Sequence, residues 1–273
     1  MKKIVCLLFL FSAAAFGQAS GLSQQGSKFA AFKAAGSLVP HSFPTKRLKN
    51  ERLDVKFVPA KMAFSYDEQG QGGRQYQEMD GYGYAAGVTY GLTDQVGLAF
   101  LGLGFSMDGK GTTMNATTGE FGANKASGYM ATTSLIWDPF KGGEEDFHLP
   151  LMAGLSYLSL EETSSISSGT SSLNTKRELN DFAISLGLMA QWTVNSWLRL
   201  SPFAFAAEPL SDVSDTCQAT GPSASCPTSL QSISKGTEGA GVEVTFRPLN
   251  FSFEFLVPVD GMTTYALKLE ASF

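Results

Sequence analysis

The chain has 273 residues, 43% of them apolar and 12% aromatic, with 20 Lys and Arg against 25 Asp and Glu. The formal charge of −5 argues against nucleic acid as a partner. Beyond the first twenty residues no stretch is long and apolar enough for a membrane helix, which needs roughly 20 apolar residues.

Met1, Lys2 and Lys3 form a short cationic head. An apolar run from Ile4 to Phe16 follows, broken only by Ser12, and then the small residues Ala13, Ala14, Ala15, Gly17 and Ala19. This is the pattern of a secretory signal peptide over residues 1–19. Cleavage after Gly17 or Ala19 fits, and Ala19 is preferred. Cys6 comes too early to become a lipid-modified terminus.

Residues 20–52 differ from everything after them. Lys28 to Ala35 has room for two turns of amphipathic helix, and Pro40 and Pro44 stop anything longer. Lys46, Arg47, Lys49 and Arg52 then make a basic run. Two placements are open for this leader: hanging on the periplasmic side, or tucked inside whatever the later strands enclose.

From Leu53 a period of two takes over, the signature of strands with one apolar face. Leu53, Val55 and Phe57 lead to Pro59, and the pattern resumes one residue out of step at Met62, Phe64 and Tyr66, which predicts a bulge at Pro59. After a loop over Asp67 to Asp80, Tyr82, Tyr84, Ala86, Val88 and Tyr90 alternate with small residues. The third run, Val96, Leu98 and Phe100, again changes phase at Leu101, Leu103 and Phe105, so a second bulge is expected near Leu101. A loop spans Met107 to Ala126. Tyr129 to Trp137 and Phe147 to Tyr157 form the next two strands, and Glu161 to Lys176 reads as loop. Phe182, Ile184, Leu186, Leu188, Ala190 and Trp192 alternate most clearly of all. Trp197 to Ala206 slips phase at Pro202, a loop runs from Glu208 to Lys235, and Ala240 to Phe246 and Phe251 to Val259 precede a turn at Gly261. With the last strand there are ten, and their connections alternate long and short.

The aromatic residues sort by strand end. Trp137, Trp192 and Trp197 abut short connections, with Phe147, Phe246, Phe251 and Phe273. Tyr66, Tyr82, Tyr84, Tyr129, Tyr157 and Tyr265 abut the long loops or the last outer turn. Two opposed aromatic girdles are what a membrane barrel requires.

The closing strand carries the family likeness. Tyr265, Leu267, Leu269, Ala271 and Phe273 lie on one face, with Ala266, Lys268, Glu270 and Ser272 on the other, and the strand ends on an aromatic residue. This resembles the terminal signal of bacterial outer-membrane β-barrel proteins, at the level of class and with no subfamily motif. The resemblance covers Leu53 to Phe273. It implies an all-β, transmembrane, antiparallel up-and-down barrel of about ten strands, with short periplasmic turns and longer outer loops. It also implies the cell outer membrane as location, and as partners membrane lipid, lipopolysaccharide and the barrel-assembly machinery, which would read Tyr265, Leu267, Leu269 and Phe273.

The opposite phase lists the lumen. Most of its members are small, among them Gly81, Gly83, Gly97, Thr132, Ser156, Ser185 and Gly187, which leaves space for water, a ligand or the leader. Charged members include Asp54, Lys56 and Asp181, and a cluster of Arg199, Glu243, Arg247, Glu254, Lys268 and Glu270 near the inner end of the last strands. Buried charges should pair. The cluster reads as a structural lattice or as a selectivity constriction. A hairpin register centred on Gly261 would set Glu254 across from Lys268.

Cys217 and Cys226 frame a short Pro/Ser/Ala/Gly segment, as expected of a disulfide in an oxidising compartment. The two histidines, His41 and His148, lie away from the outer rim, and no nucleophile elbow, metal-spaced cluster or cofactor motif is present. Glu161 and Glu162 read as solvated loop charge. These features point to a non-enzymatic barrel without cofactors, giving passive porin-like passage to ions or small solutes, or else serving as a non-conducting structural or surface protein.

Overall fold

A computed structural model describes residues 29–70, 73–112, 122–140, 147–168, 171–220, 236–258 and 262–273. The signal-peptide reading, the turn at Gly261 and Cys226 lie outside the described residues.

The strands are β1 (Leu53–Gly70), β2 (Gly73–Gly91), β3 (Val96–Thr112), β4 (Gly122–Trp137), β5 (Leu151–Ser168), β6 (Ser171–Met189), β7 (Trp192–Thr193), β8 (Leu198–Pro209), β9 (Ser214–Thr220), β10 (Thr237–Phe246), β11 (Phe251–Pro258) and β12 (Met262–Ser272). Ten of them pair antiparallel in chain order, and β12 returns to β1, so the sheet closes into a barrel. The other two are additions. β7 folds back on β8, and β9 replaces β8 as the neighbour of β6 over Ser172–Glu178. Among the described residues, closure pairs each of the ten wall strands on both sides, the condition for crossing lipid with strands.

The two faces are inverted relative to a water-soluble sheet. Phe57 is 49% exposed, Tyr84 61%, Leu186 63% and Trp197 64%, while Asp54, Lys56, Thr132 and Ser156 are buried. Large apolar side chains form the outer belt and polar ones point inward, as a lipid-facing barrel demands. No helix among the described residues is long and apolar enough to cross a membrane.

Three segments read as outer loops are in large part strand. Gly70 pairs with Gly73, Gly111 with Gly122 and Ser168 with Ser171, so the hairpins continue through much of 67–80, 107–126 and 161–176. Strands of up to 19 residues exceed the roughly 9–11 needed to cross the hydrocarbon, and their outer ends stand clear of it. In these extensions the inward face is buried but carries polar residues such as Gln77, Asn124, Glu162 and Arg177, so the apolar alternation that reveals a strand is lost.

The three expected phase slips are absent. The pairing of β1 with β2 runs unshifted past Pro59, which lies opposite Tyr84. On its other side β1 loses ladder contact with β12 only at Val58 and Pro59, where proline lacks an N–H, and resumes in the same register. Leu101 lies between Gly87 and Thr132, and Pro202 opposite Val242, again without displacement. Met62, Phe64, Leu101, Leu103, Phe105, Phe203 and Phe205 therefore face inward, and all are buried.

Their partner is the leader. Helix α1 (Ala30–Ser37) is followed by a 3-10 turn at Val39–Ser42, and the chain then descends inside the barrel. Every residue from Phe29 to Thr45 is buried. α1 touches β3, β4, β5, β10 and β12. Phe29, Phe32, Leu38, Phe43 and Leu48 join the inward apolar residues in one continuous core. The helix begins two residues later than expected and is buried on all sides, so no wet face is required of it. Lumen glycines admit it closely: a Cβ at Gly83 would lie 3.1 Å from Leu38 Cδ1, at Gly97 2.7 Å from Leu48 Cδ2, and at Gly187 2.8 Å from Phe43 Cζ.

Candidate functional site: the charged floor beneath the leader

Where the leader leaves its helix, Pro40 and Pro44 hold the backbone out of helical geometry and leave successive carbonyls without internal partners. The barrel wall supplies the donors. Lys56 Nζ on β1 reaches Ser42 O at 2.9 Å and Phe43 O at 3.2 Å. Gln191 Nε2 reaches Pro44 O at 2.7 Å, and Arg199 Nη1 on β8 reaches Thr45 O at 2.5 Å. Lys268 Nζ on β12 adds a longer bond to Phe43 O at 3.4 Å, so four consecutive leader carbonyls are bound by four wall side chains.

Carboxylates balance these cations. Lys268 Nζ donates to Glu243 Oε2 at 2.5 Å, and both side chains are fully buried. Glu254 Oε2 lies 3.1 Å from His41 Nδ1 on the leader, and Glu270 Oε2 accepts from the Thr45 N–H at 3.3 Å. Opposite charges in contact offset the desolvation each would suffer alone. The leader enters this lattice as a member, through His41 and its backbone.

Of the cluster expected from sequence, Arg199, Glu243, Glu254, Lys268 and Glu270 meet on this floor. Arg247 does not. It belongs to a 3-10 turn at Arg247–Leu249, is half-buried, and donates to Asn195 O at 3.3 Å. The expected pairing of Glu254 with Lys268 is also corrected. The β11–β12 register sets Glu254 opposite Ala266 and Ser252 opposite Lys268. Lys268 therefore reaches past β11 to β10. The central contributions of Lys56, Gln191 and His41 were not read from the sequence. Lys56 was visible as an inward charge, but its acceptors lie on a segment with no period to place it.

The other end of α1 has its own anchor. Glu162 is buried, not solvated loop charge: its Oε2 accepts from the Ala30 N–H at 2.7 Å and the Ala31 N–H at 3.4 Å. Gln77 Nε2 donates to Oε1 at 3.0 Å, and Arg177 Nη1 stands 3.6 Å from it. A carboxylate on the first free N–H groups of a helix satisfies those donors and opposes the positive end of the helix dipole. Glu161, by contrast, is partly exposed and pairs with Lys176 at 3.0 Å.

At the inner turn between β4 and β5, His148 Nδ1 meets Asp138 Oδ2 at 2.8 Å, and His148 exchanges backbone bonds with Gln191. Burial pushes the Asp138 carboxyl up, but the His148 hydrogen bond and the N–H groups of Phe140 and Leu149 more than offset this and hold it below its ordinary value. No group of three His, Cys, Asp or Glu among the described residues is arranged to hold a metal.

The terminal residues sit at the seam. Phe273 exchanges backbone hydrogen bonds with Leu53 at 2.9 and 3.1 Å, closing β12 on β1. Tyr265 and Leu269 are exposed on the belt, Phe273 is exposed beside it, and Leu267 is half-buried. Cys217 lies on β9, and the expected disulfide with Cys226 falls outside the described residues.

No protein-family model matches the chain, and no curated relative does. Among solved structures it is similar to the transport unit of the autotransporter AIDA-I from Escherichia coli, at 14% identity over 88% of this chain and 95% of that one, with a TM-score of 0.42. It is similar also to the outer-membrane protease OmpT from Escherichia coli, at 12% identity over 85% and 99%, TM-score 0.44. An outer-membrane channel from Pseudomonas putida F1 matches at 12% identity over 85% and 99%, TM-score 0.40. A closed ten-strand wall, an apolar belt facing outward and charges facing in give this chain the fold of an outer-membrane β-barrel.

Proposed function

We propose that the protein is an outer-membrane transport barrel for ions or small solutes whose lumen is closed at rest by its own leader, residues 29–48. The observation that carries this reading is the binding of four consecutive leader carbonyls, Ser42 to Thr45, by Lys56, Gln191 and Arg199. Polar anchoring of this kind suits a segment that can leave. At the floor, side chains that hold the backbone in the seated state can hold water once it has gone, whereas the apolar contacts of Phe29, Phe32, Leu38 and Phe43 in the core oppose departure. The inner charges then serve two states, a lattice when the leader is seated and a polar lining when it is displaced.

Planar-bilayer recording of the refolded protein, with and without residues 20–48, tests the proposal. Heat-modifiable mobility on gels checks that each form is folded. The intact protein should open rarely, and the leaderless barrel should give discrete, sustained conductance steps. A folded leaderless barrel that stays silent would overturn the reading in favour of a non-conducting structural or surface protein.

A further inference from the structure

On the inner side of the charged floor a cavity of about 520 Å³ opens between the exit of the leader and the wall. Its lining is unbalanced in charge. Lys46, Arg47 and Arg52 come from the leader, and Arg199 and Arg247 from the wall, while Glu270 is the one carboxylate among the lining residues. Some of this charge is already engaged. Arg52 pairs with Asp54 at 3.0 Å, Arg199 holds Thr45 O, and Glu270 accepts from the Thr45 N–H. Lys46, Arg47 and Arg247 take part in no ion pair among the described residues; Lys46 donates to Ser272 Oγ at 2.7 Å and Arg247 to a carbonyl. The Arg47 Nε and the Thr45 Oγ1 are buried at this cavity without a hydrogen-bond partner. A buried donor on a guanidinium is costly to leave unmet, and several cations converging on one space repel one another unless an anion enters.

Guanidinium groups present paired N–H donors in a planar fork that matches the oxygens of phosphate. We propose that this cavity binds a phosphate-bearing anion. The phosphate can come from a soluble phosphate compound of the periplasm or from the headgroup of an inner-leaflet lipid at the barrel mouth. Thr45, Lys46, Arg47 and Arg52 of the lining belong to the leader and the rest to the wall and its turns, so the site is complete only while the leader is seated. A ligand that binds only this arrangement stabilises it by mass action. The proposal depends on the seated geometry and is independent of whether the barrel conducts.

The test uses the full mature chain refolded in an uncharged detergent. Inorganic phosphate is titrated at constant ionic strength with chloride as the balancing ion, and binding is followed calorimetrically. In a second arm the micelles are doped with phosphatidylglycerol or with an uncharged lipid. Saturable binding of phosphate, or of phosphatidylglycerol alone, is expected, and the pattern separates the soluble from the lipid source. Arg47→Gln combined with Arg247→Gln should weaken binding by about tenfold or more, the loss expected when charge-assisted bonds are removed. Lys110→Gln, on the outer hairpin, should leave it unchanged. Arg247→Gln alone alters a half-buried turn residue and leaves the leader intact, so it guards against a double variant that fails to fold. Heat released equally by chloride, binding of neither probe, or an Arg247→Gln protein with unchanged affinity would overturn the proposal.

Discussion

Lys268 on the closing strand donates to Glu243 across the intervening strand β11, at 2.5 Å, with neither side chain exposed to solvent. Removing one member of a buried pair strands the other charge, a loss of about 3–5 kcal/mol, whereas replacing both by apolar groups is far less costly. Lys268→Met should therefore be strongly destabilising in urea unfolding of the micelle-bound barrel, and Glu243→Gln less so. Lys268→Met with Glu243→Met should recover much of the loss. Because Glu254 and Glu270 also surround this lysine, recovery should be incomplete. Strict additivity of the two single effects would show that the residues do not interact.

Glu162 holds the first N–H groups of α1 from the far side of the barrel. Glu162→Ala should cost about 1–2 kcal/mol, through the lost cap and the lost opposition to the helix dipole. The effect should be local. Amide exchange should accelerate over Ala30–Ser37 while the strands keep their protection, and Glu162→Gln, which retains an acceptor oxygen, should fall between. Equal exchange of α1 in Glu162→Ala and the parent would refute this anchor.

The Asp138–His148 contact makes the inner turn sensitive to acid. Asp138 releases its proton more readily in the folded protein than its ordinary value of 3.8 would allow. The stabilisation is thus complete above that value and is lost as the pH falls through the lower, folded one. Asp138→Asn should remove this acid-dependent part, making the turn less stable at neutral pH and flatter in response below pH ~4. Exchange rates of the Phe140 and Leu149 amides, whose N–H groups Asp138 accepts, report it directly. Parallel acid profiles for the two proteins would count against the contact.

Phe273 joins the last strand to Leu53 through paired backbone bonds, and its side chain is 78% exposed. Such exposure assigns the ring no packing role within the barrel. Deleting Phe273, or replacing it with Asp, should reduce the yield of inserted barrel in cells while the purified protein still refolds in detergent. Heat-modifiable mobility of both preparations measures this. Equal insertion in cells would separate the aromatic terminus from assembly.

The wall was legible wherever its two faces differ in polarity. Tyr82 to Tyr90, Tyr129 to Trp137 and Phe182 to Leu188 alternate cleanly, and their exposed and buried residues follow that alternation. Legibility failed where the contrast vanishes. At Met62, Phe64, Leu101, Leu103, Phe105, Phe203 and Phe205 the lumen is apolar because it packs on the leader, so an unbroken strand imitates a phase slip. Beyond the bilayer the contrast vanishes the other way, and Glu162 passed for loop charge. The cluster of inner charges was readable by its phase. Its partners were not, because a register error of two residues exchanges Ser252 for Glu254 opposite Lys268 without moving any side chain to the other face.

The lumen glycines allow the seat of the leader to be tested without touching any charge. A Cβ at Gly187 would stand 2.8 Å from Cζ and 3.0 Å from Cε2 of the Phe43 ring, closer than packed carbon atoms tolerate. Phe43 is fully buried, and its carbonyl accepts from both Lys56 and Lys268, so the ring cannot shift without disturbing the floor. Gly187→Val should therefore expel the leader around Phe43 while leaving β5 and β6 paired, since valine suits a strand. Limited proteolysis from the periplasmic side should cut between residues 29 and 48 in the variant but not in the parent, with the heat-modifiable folded band retained. Gly102 is a fair control, because a Cβ there would have only the Ala86 carbonyl oxygen, at 4.0 Å, as a neighbour. Gly102→Val should leave the leader protected. A Gly187→Val barrel that keeps residues 29–48 resistant would show that Phe43 can be accommodated elsewhere and that the glycine does not hold its seat open.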